Sequence, residues 1–502
     1  MNLMMLLEMA SAGFADRVAV TDGALALTYG ELFGAAGAAA RRVRESGAKH
    51  LAVLDVSSPA VPTGLFAAAW AGVPFVPLNY RLTGEELERL TSQIAPALLV
   101  ADGERAASLR GLAGIEVVAR DEFLASARAG EPLEPSSWPM DPEDIAVLLF
   151  TSGTTGPPKA AVIRHKHLTS YILTTVEFGA AGDEDGQLVA VPPYHIAGMA
   201  TLCSSIYAGR KIVQLPNFAA ADWLRLARDE RVSQAFVVPT MLGRILDELG
   251  DAARDALPHL RALAYGGGKM PLPVIERAMA ALPHVAFTQA YGLTETSSTI
   301  AVLGPDDHRT AFASDDPAVR RRLASVGQPI PTVEVQIRDD MGAVLGPNER
   351  GEIFVRGEQV SGEYLGKGTT LLGDGFFPTR DGGYLDDEGY LFLEGRQDDI
   401  IVRGAENMSP GEIEDVLLQH EAVRDVAVVG VPDEQWGEAV AAAVVLHEGQ
   451  SATVEALQAY VRERLRSSRT PERIVFRAEL PYNETGKLLR RLVRADLAEN
   501  AS

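Results

Sequence analysis

Short apolar runs alternate with helix-like segments along the first half of the chain, a rhythm that few folds accommodate. Thr28 and Glu31 form a capping box that opens an alanine-rich helix, and Thr83 with Glu86 repeats the device. Between them, apolar runs at 51–54 and 74–78 flank a helix-like stretch over 62–71. Strand, helix, strand in that order predicts a largely parallel sheet covered by helices. A second set of such runs follows at 188–191, 211–215, 235–238 and 263–265. Alternation over 333–337 and 351–356 predicts antiparallel pairing, which a small barrel would accommodate.

At 502 residues the chain exceeds what one core usually fills, so two or more domains are expected. A boundary is expected near residues 395–399, separating an N-terminal domain over 1–397 from a C-terminal one over 398–502. Beyond it the pattern restarts. Ser409, Pro410 and Glu412 occupy the N-cap, first and third positions of a helix predicted to run to about His420. Strands at 426–429, 440–445 and 473–476 and a helix over about 454–465 complete a small α/β unit.

The composition is 47% hydrophobic and 23% charged, that of a soluble globular protein. With 46 basic against 68 acidic residues the net charge is −22, which disfavours nonspecific adhesion to nucleic acid or anionic membrane. An anionic substrate would need a local cationic site. The lone Cys203 sits in an apolar stretch, reads as packing rather than as a nucleophile, and fits a reducing compartment. Residues 1–10 are apolar but carry Glu8 and no basic region, so they do not read as a signal peptide. No run of about 18 apolar residues appears, so no transmembrane segment is expected and the default location is cytoplasmic.

The run Thr151-Ser152-Gly153-Thr154-Thr155-Gly156-Pro157-Pro158-Lys159 follows the apolar segment 145–150 and reads as a polar loop leaving a buried strand. Its hydroxyls and lysine are donors for phosphate oxygens, and its glycines let backbone approach them closely. The spacing does not fit the Walker pattern, so this would be a different phosphate loop. From composition alone, a flexible surface turn is the alternative.

Further segments follow in a fixed order: 192–195, 266–268, 289–295, Gly351-Glu352 with 362–365, 379–381, 395–399, 404–414 and 483–487. Together with the loop they resemble the adenylate-forming superfamily of acyl-CoA synthetases, amino-acid adenylation domains and beetle luciferases, over nearly the whole chain. Each is weak alone, but their common order is specific. The resemblance implies an α/β fold with a large N-terminal domain of two helix-flanked sheets plus a distorted β-barrel, and a small mobile C-terminal α/β domain. It implies an AMP-forming acid:CoA ligase that uses ATP, Mg²⁺ and CoA, as a monomer or homodimer. A freestanding ligase that charges a carrier protein is the rival.

The site residues follow from the same resemblance. Thr151, Ser152, Gly153, Thr154, Thr155, Gly156 and Lys159 would orient the β- and γ-phosphates, and Thr294 would bind near the α-phosphate. Glu295 would hold Mg²⁺, a hard cation suited to carboxylate oxygen. Gly266, Gly267 and Gly268 would pack against adenine, with Gln289, Ala290, Tyr291 and Gly292 beside the nucleotide. Asp381 would accept both ribose hydroxyls, assisted by Arg396. Lys487 matches the lysine that stabilises charge in adenylation. Asp398 matches the hinge about which the C-terminal domain turns, bringing Arg403, Gly404 and Ala405 to the thiol side. His195 matches a position at the acyl pocket, where shaping the pocket and proton chemistry are equally open. The pocket would draw on Ile196, Ala197, Gly198, Met199, Val238, Met241 and Ser297.

The chain departs from the family in three places. Arg380 replaces the usual glycine beside Asp381, Ala160 replaces a glycine after Lys159, and Lys269 follows the glycine triplet where a small residue is common. The 195–199 segment has no anion to hold an α-amine, which favours a simple carboxylic acid, aliphatic or aromatic. A dicarboxylate would want another cation, for which Arg164 and Lys269 are the candidates.

Overall fold

The computed structural model describes residues 1–82, 84–151, 158–250, 256–396, 399–403, 406–433, 435–483 and 488–499. The first capping box is present. Thr28 Oγ1 accepts the Glu31 amide at 3.2 Å and Glu31 Oε2 accepts the Thr28 amide at 2.8 Å, opening the helix Tyr29–Ser46. Thr83 lies outside the described residues; the helix it was expected to cap spans Gly84–Ile94.

Two large sheets form the bulk of the N-terminal part. In one, Ile115–Ala119, Ala97–Ala101, His50–Leu54, Phe75–Pro77 and Ile145–Thr151 run parallel as neighbours, as the strand and helix rhythm requires. Lys159–Arg164, Glu363–Tyr364 and Gly368–Thr369 extend that sheet antiparallel. In the other, Val18–Thr21, Lys211–Gln214, Gly186–Val189, Gln234–Val237, Ala262–Gly266 and Ala286–Leu293 are parallel. Ser298–Leu303 then turns back antiparallel along Ala286–Leu293. One core joins the helices between them, with Phe66, Trp70, Leu168 and Met199 buried together.

Glu334–Arg338, Gly351–Arg356, Phe377–Leu385 and Leu391–Arg396 form a third, wholly antiparallel sheet, as the period-two pattern requires. The C-terminal unit is a sheet covered on both faces. Val428 and Val444 pack with Ile413 and Leu457 on one side, while Val429 and Ala441 pack with Val493 and Leu497 on the other. Burial on both faces explains why its strands read as unbroken apolar runs. Its first helix spans Pro410–Leu417, and Ser409 does not cap it by side chain. The Ser409 hydroxyl instead donates to the carbonyl of Glu394, joining this unit to the third sheet. No described helix is long and apolar enough to cross a membrane.

Candidate active site

The stretch 151–159 joins two antiparallel strands, with Thr151 and Lys159 directly paired and Thr151 Oγ1 donating to the Lys159 carbonyl at 3.3 Å. Ser152, Gly153, Thr154, Thr155 and Gly156 lie outside the described residues. Lys159 is exposed, its Nζ 5.8 Å from the centroid of the Tyr364 ring. Tyr364 is aligned there because its short strand pairs with Ala161 on the Lys159 strand. Its hydroxyl donates to Glu295 Oε1. The Glu295 carbonyl accepts the amides of Ser361 at 2.8 Å and Gly362 at 3.2 Å, so segment 361–364 grips this residue at backbone and side chain. Burial, then the Glu295 charge, raises the Tyr364 pKa and keeps the phenol a donor. The sequence placed Tyr364 inside a motif without giving it a task; only the fold sets it against Glu295.

A second carboxylate is held separately. Tyr291 OH donates to Asp381 Oδ2 at 2.6 Å, and Arg396 Nε stands 3.3 Å from Asp381 Oδ1. Asp381 and Arg396 face each other across paired strands, which brings the two residues together. Burial and the adjacent Asp381 charge push the Tyr291 pKa well up, so this hydroxyl also stays protonated. Between Glu352 and Phe354 the partner register jumps from Gly382 to Pro378, so Thr379, Arg380 and Asp381 form a bulge. Bulges re-aim side chains, and this one turns the Asp381 carboxylate inward.

The glycines serve the backbone first. A Cβ on Gly266 would lie 2.3 Å from the Ala290 carbonyl oxygen, and one on Gly292 would lie 1.8 Å from that of Ser298. Their absent side chains are therefore demanded by close strand packing. Gly267 has φ +78°, a turn that other residues resist. Gln289 is buried and accepts a hydrogen bond from Tyr265 at 3.3 Å. Thr294 opens a single 3₁₀ turn, Thr294–Thr296, that carries Glu295.

His195 is the N-cap residue of the helix Ile196–Ala208, its ring 4.5 Å from that of Tyr194. The residue is half-buried, and burial of its ring disfavours the charged form and lowers its pKa to about 4. Gly198 permits this start, since a Cβ would sit 2.9 Å from the Pro192 carbonyl oxygen. Ile196 and Ala197 are half-buried, whereas Met199 belongs to the core between the sheets. Val238 and Met241 are buried in the core of the second sheet. Ser297 is fully buried at φ +53°. Cys203 is buried and its thiol is pushed up to about 12, consistent with packing.

Both cations considered for a second carboxylate are committed. Arg164 makes a bidentate pair with Glu363, at 3.0 and 2.8 Å. Lys269 Nζ lies 2.7 Å from Asp415 Oδ2 on the first C-terminal helix.

Lys487, Asp398, Gly404 and Ala405 lie outside the described residues. The flanks of Lys487 are fastened. Tyr482 bridges Leu488, Leu489 donates its amide to the Pro481 carbonyl at 2.8 Å, and Arg490 pairs with Glu414 at 2.8 Å. Arg490 also lies 3.6 Å from Asp399, beside the expected hinge. Arg403 pairs with Glu472 at 2.8 Å and covers the Trp436 ring.

Magnesium commonly binds through one or two carboxylates plus substrate phosphates, with no cage of protein ligands. The residues fit that mode. Glu295 Oε2 has no partner among the described residues, and no described group of three or more His, Cys, Asp or Glu could enclose a metal.

The chain matches the AMP-binding enzyme family over residues 7–365 and the AMP-binding enzyme C-terminal domain over 412–487. It is 33% identical to a 2-succinylbenzoate–CoA ligase of Geobacillus sp. (strain WCH70), over 97% of this chain and 96% of that protein. It is also 33% identical to a feruloyl-CoA synthase of Amycolatopsis sp., over 95% of each chain. Identity is 33% again to the fatty acid–[acyl-carrier-protein] ligase ScoC of Streptomyces coeruleorubidus, over 86% of this chain and 83% of that one. Among solved structures, the o-succinylbenzoate CoA synthetase of Bacillus subtilis in complex with its acyl-adenylate intermediate superimposes with TM-score 0.83, at 29% identity over 97% of each chain. With these matches over nearly its whole length, the chain belongs to the AMP-binding enzyme family of the adenylate-forming superfamily.

Proposed function

We propose that the protein is an ATP-dependent carboxylic acid:CoA ligase. In the first half-reaction a carboxylate oxygen of the acid attacks the α-phosphorus of ATP and pyrophosphate leaves. In the second, the CoA sulfur attacks the acyl carbon and AMP leaves with that oxygen. The observation that carries this reading is the pair of carboxylates gripped by tyrosines, Glu295 by Tyr364 and Asp381 by Tyr291. One suits a metal and the other a diol, and a nucleotide carries both needs.

Lys159 and the loop 151–156 take the β- and γ-phosphates, and Thr294 takes the α-phosphate side. Asp381 offers two oxygens to the ribose hydroxyls, with Arg396 alongside. Gly266, Gly267, Gly268, Gln289, Ala290, Tyr291 and Gly292 form the wall at the base. Glu295 would hold Mg²⁺, which when bound neutralises phosphate charge and lets the anionic acid approach. Lys487 stabilises the charge that grows between carboxylate and α-phosphate. The domain over 398–502 then turns about Asp398, withdrawing Lys487 and bringing Arg403, Gly404 and Ala405 beside the thiol. His195, neutral at physiological pH, shapes the pocket mouth, a role its low pKa supports over that of a cation.

The acid is fatty or aryl and carries one carboxylate. Ile196, Ala197, Gly198, Met199, Val238 and Met241 are apolar or small and Ser297 contributes a lone hydroxyl, while the ion pairs of Arg164 and Lys269 leave neither cation unpaired. The test is pyrophosphate release with a panel of fatty, branched and aryl acids, with and without free CoA. Release with thioester formation is expected. Adenylate that never passes to CoA but charges a carrier protein would sink the CoA reading.

A further inference from the structure

Arg380 stands where the family usually carries glycine, and the bulge shows why glycine is usual. Its φ is +60°, the left-handed region that side chains resist. The conformation is held by Glu352, whose Oε1 accepts the Arg380 amide at 3.0 Å, and by the two-residue offset between the strands. A strained arginine where glycine would relax is a local conflict, and such conflicts concentrate at functional sites.

Its surroundings say what the side chain faces. Arg380 is exposed, and its guanidinium makes no ion pair or hydrogen bond among the described residues. It follows the Thr379 hydroxyl, which is spent on the Ile353 carbonyl at 2.8 Å, and precedes the buried Asp381. Arg380 lies directly before Asp381 on the bulge, and its charge, like that of Arg396, acts on the Tyr364 hydroxyl that holds Glu295. Lys159 and Arg380 are thus two cations with no carboxylate partner among the described residues, in a chain of net charge −22, and Lys159 stands beside the phenol that holds Glu295.

We propose that Arg380 is a triphosphate-binding residue, a guanidinium on the bulge that reaches the β- or γ-phosphate of ATP beside Lys159. This rests on the adenylation reading above and adds a contact specific to the substrate's phosphates. A guanidinium can take two phosphate oxygens at once, which suits it to this role more than a point charge. The departing pyrophosphate keeps that contact, whereas AMP has no group to fill it.

Equilibrium binding of MgATP and of AMP to the parent chain, Arg380→Gly and Arg380→Gln decides the matter without any acid present. Loss of the charge-assisted contact should weaken MgATP about tenfold while leaving AMP within about twofold. Arg380→Gly should melt no lower than the parent, because glycine accepts the left-handed backbone, and Arg380→Gln removes charge while keeping a side chain. Unchanged MgATP affinity, or equal loss for ATP and AMP, overturns the proposal. Pyrophosphate release by the parent chain reports separately on the ligase reading. A parent that binds MgATP yet never releases pyrophosphate counts against that reading and leaves the Arg380 comparison decisive.

Discussion

Tyr291 donates its hydroxyl to Asp381 Oδ2 at 2.6 Å, and both residues are buried. The tyrosine comes from the end of a parallel strand in one sheet and the aspartate from a bulge in another. Their contact orients the carboxylate assigned to the ribose. Tyr291→Phe removes a hydrogen bond to a buried charge, and ATP affinity should fall about tenfold. Titration with ATP and with inorganic pyrophosphate checks this, because only the ribose-bearing ligand should respond.

Tyr364 orients Glu295 in the same way. Tyr364→Phe keeps the ring beside Lys159 but frees Glu295 Oε1. The adenylation kcat/KM should drop about tenfold, with a higher Mg²⁺ concentration needed for half-maximal rate. Thioester formation from preformed acyl-adenylate should be spared. Equal loss in both half-reactions would place Tyr364 outside the metal and phosphate region.

Lys269 and Asp415 pair at 2.7 Å between the glycine triplet and the first C-terminal helix, with side chains 41% and 49% exposed. An exposed pair contributes about 1 kcal/mol or less, so Asp415→Asn should barely change the melting temperature. The same energy acting on domain orientation alters populations about fivefold, and the two half-reaction rates should shift in opposite directions. Rates that fall in parallel would contradict the role in orientation.

His165 and His167 are 2% and 4% exposed, and burial holds each pKa near 4. Each uses Nδ1 as an acceptor, for the amides of Leu3 at 3.2 Å and Arg164 at 3.1 Å, so protonation would break these bonds. Below the ordinary histidine range the unfolded chain takes up protons that the folded chain refuses until about pH 4. Stability contributed by these groups is therefore full above about pH 6.5 and is lost as pH falls toward 4. The limiting slope for two protons is about 2.7 kcal/mol per pH unit. Denaturant unfolding between these pH values, repeated with His165→Gln and His167→Gln, should show the slope flattening. An unchanged slope would mean that other groups govern acid unfolding.

Arg164→Ala and Glu363→Ala provide a further check on the acid. Their bidentate pair leaves the guanidinium committed. Replacing Glu363 leaves Arg164 without its carboxylate, held only by the Glu143 carbonyl, and should raise activity toward dicarboxylates relative to monocarboxylates, which an acid panel measures directly. No change in that ratio would place Arg164 away from the acyl end.

Local signals were enough for the parallel sheets, the Thr28 capping box and the antiparallel strands over 334–356, because periodicity and capping depend on near neighbours in sequence. The Ser409 cap misled for a tertiary reason: its hydroxyl was taken by a carbonyl in another sheet. Motif order carried the chain into its family, and Glu295, Asp381 and Arg396 were named through that resemblance, since each alone would read as an ordinary turn or surface residue. What the fold alone decided was which group holds which. Tyr364 reaches Glu295 across 69 residues and Tyr291 reaches Asp381 across 90, distances over which no local pattern survives. The bulge that forces Arg380 into a left-handed backbone was likewise invisible, since it arises from register between strands rather than from the three residues themselves. The sequence by itself determined the chemistry available, because side-chain identity sets charge and donors. Only the tertiary structure decided which carboxylates are held and which cations are spent in ion pairs, because those depend on packing between distant strands.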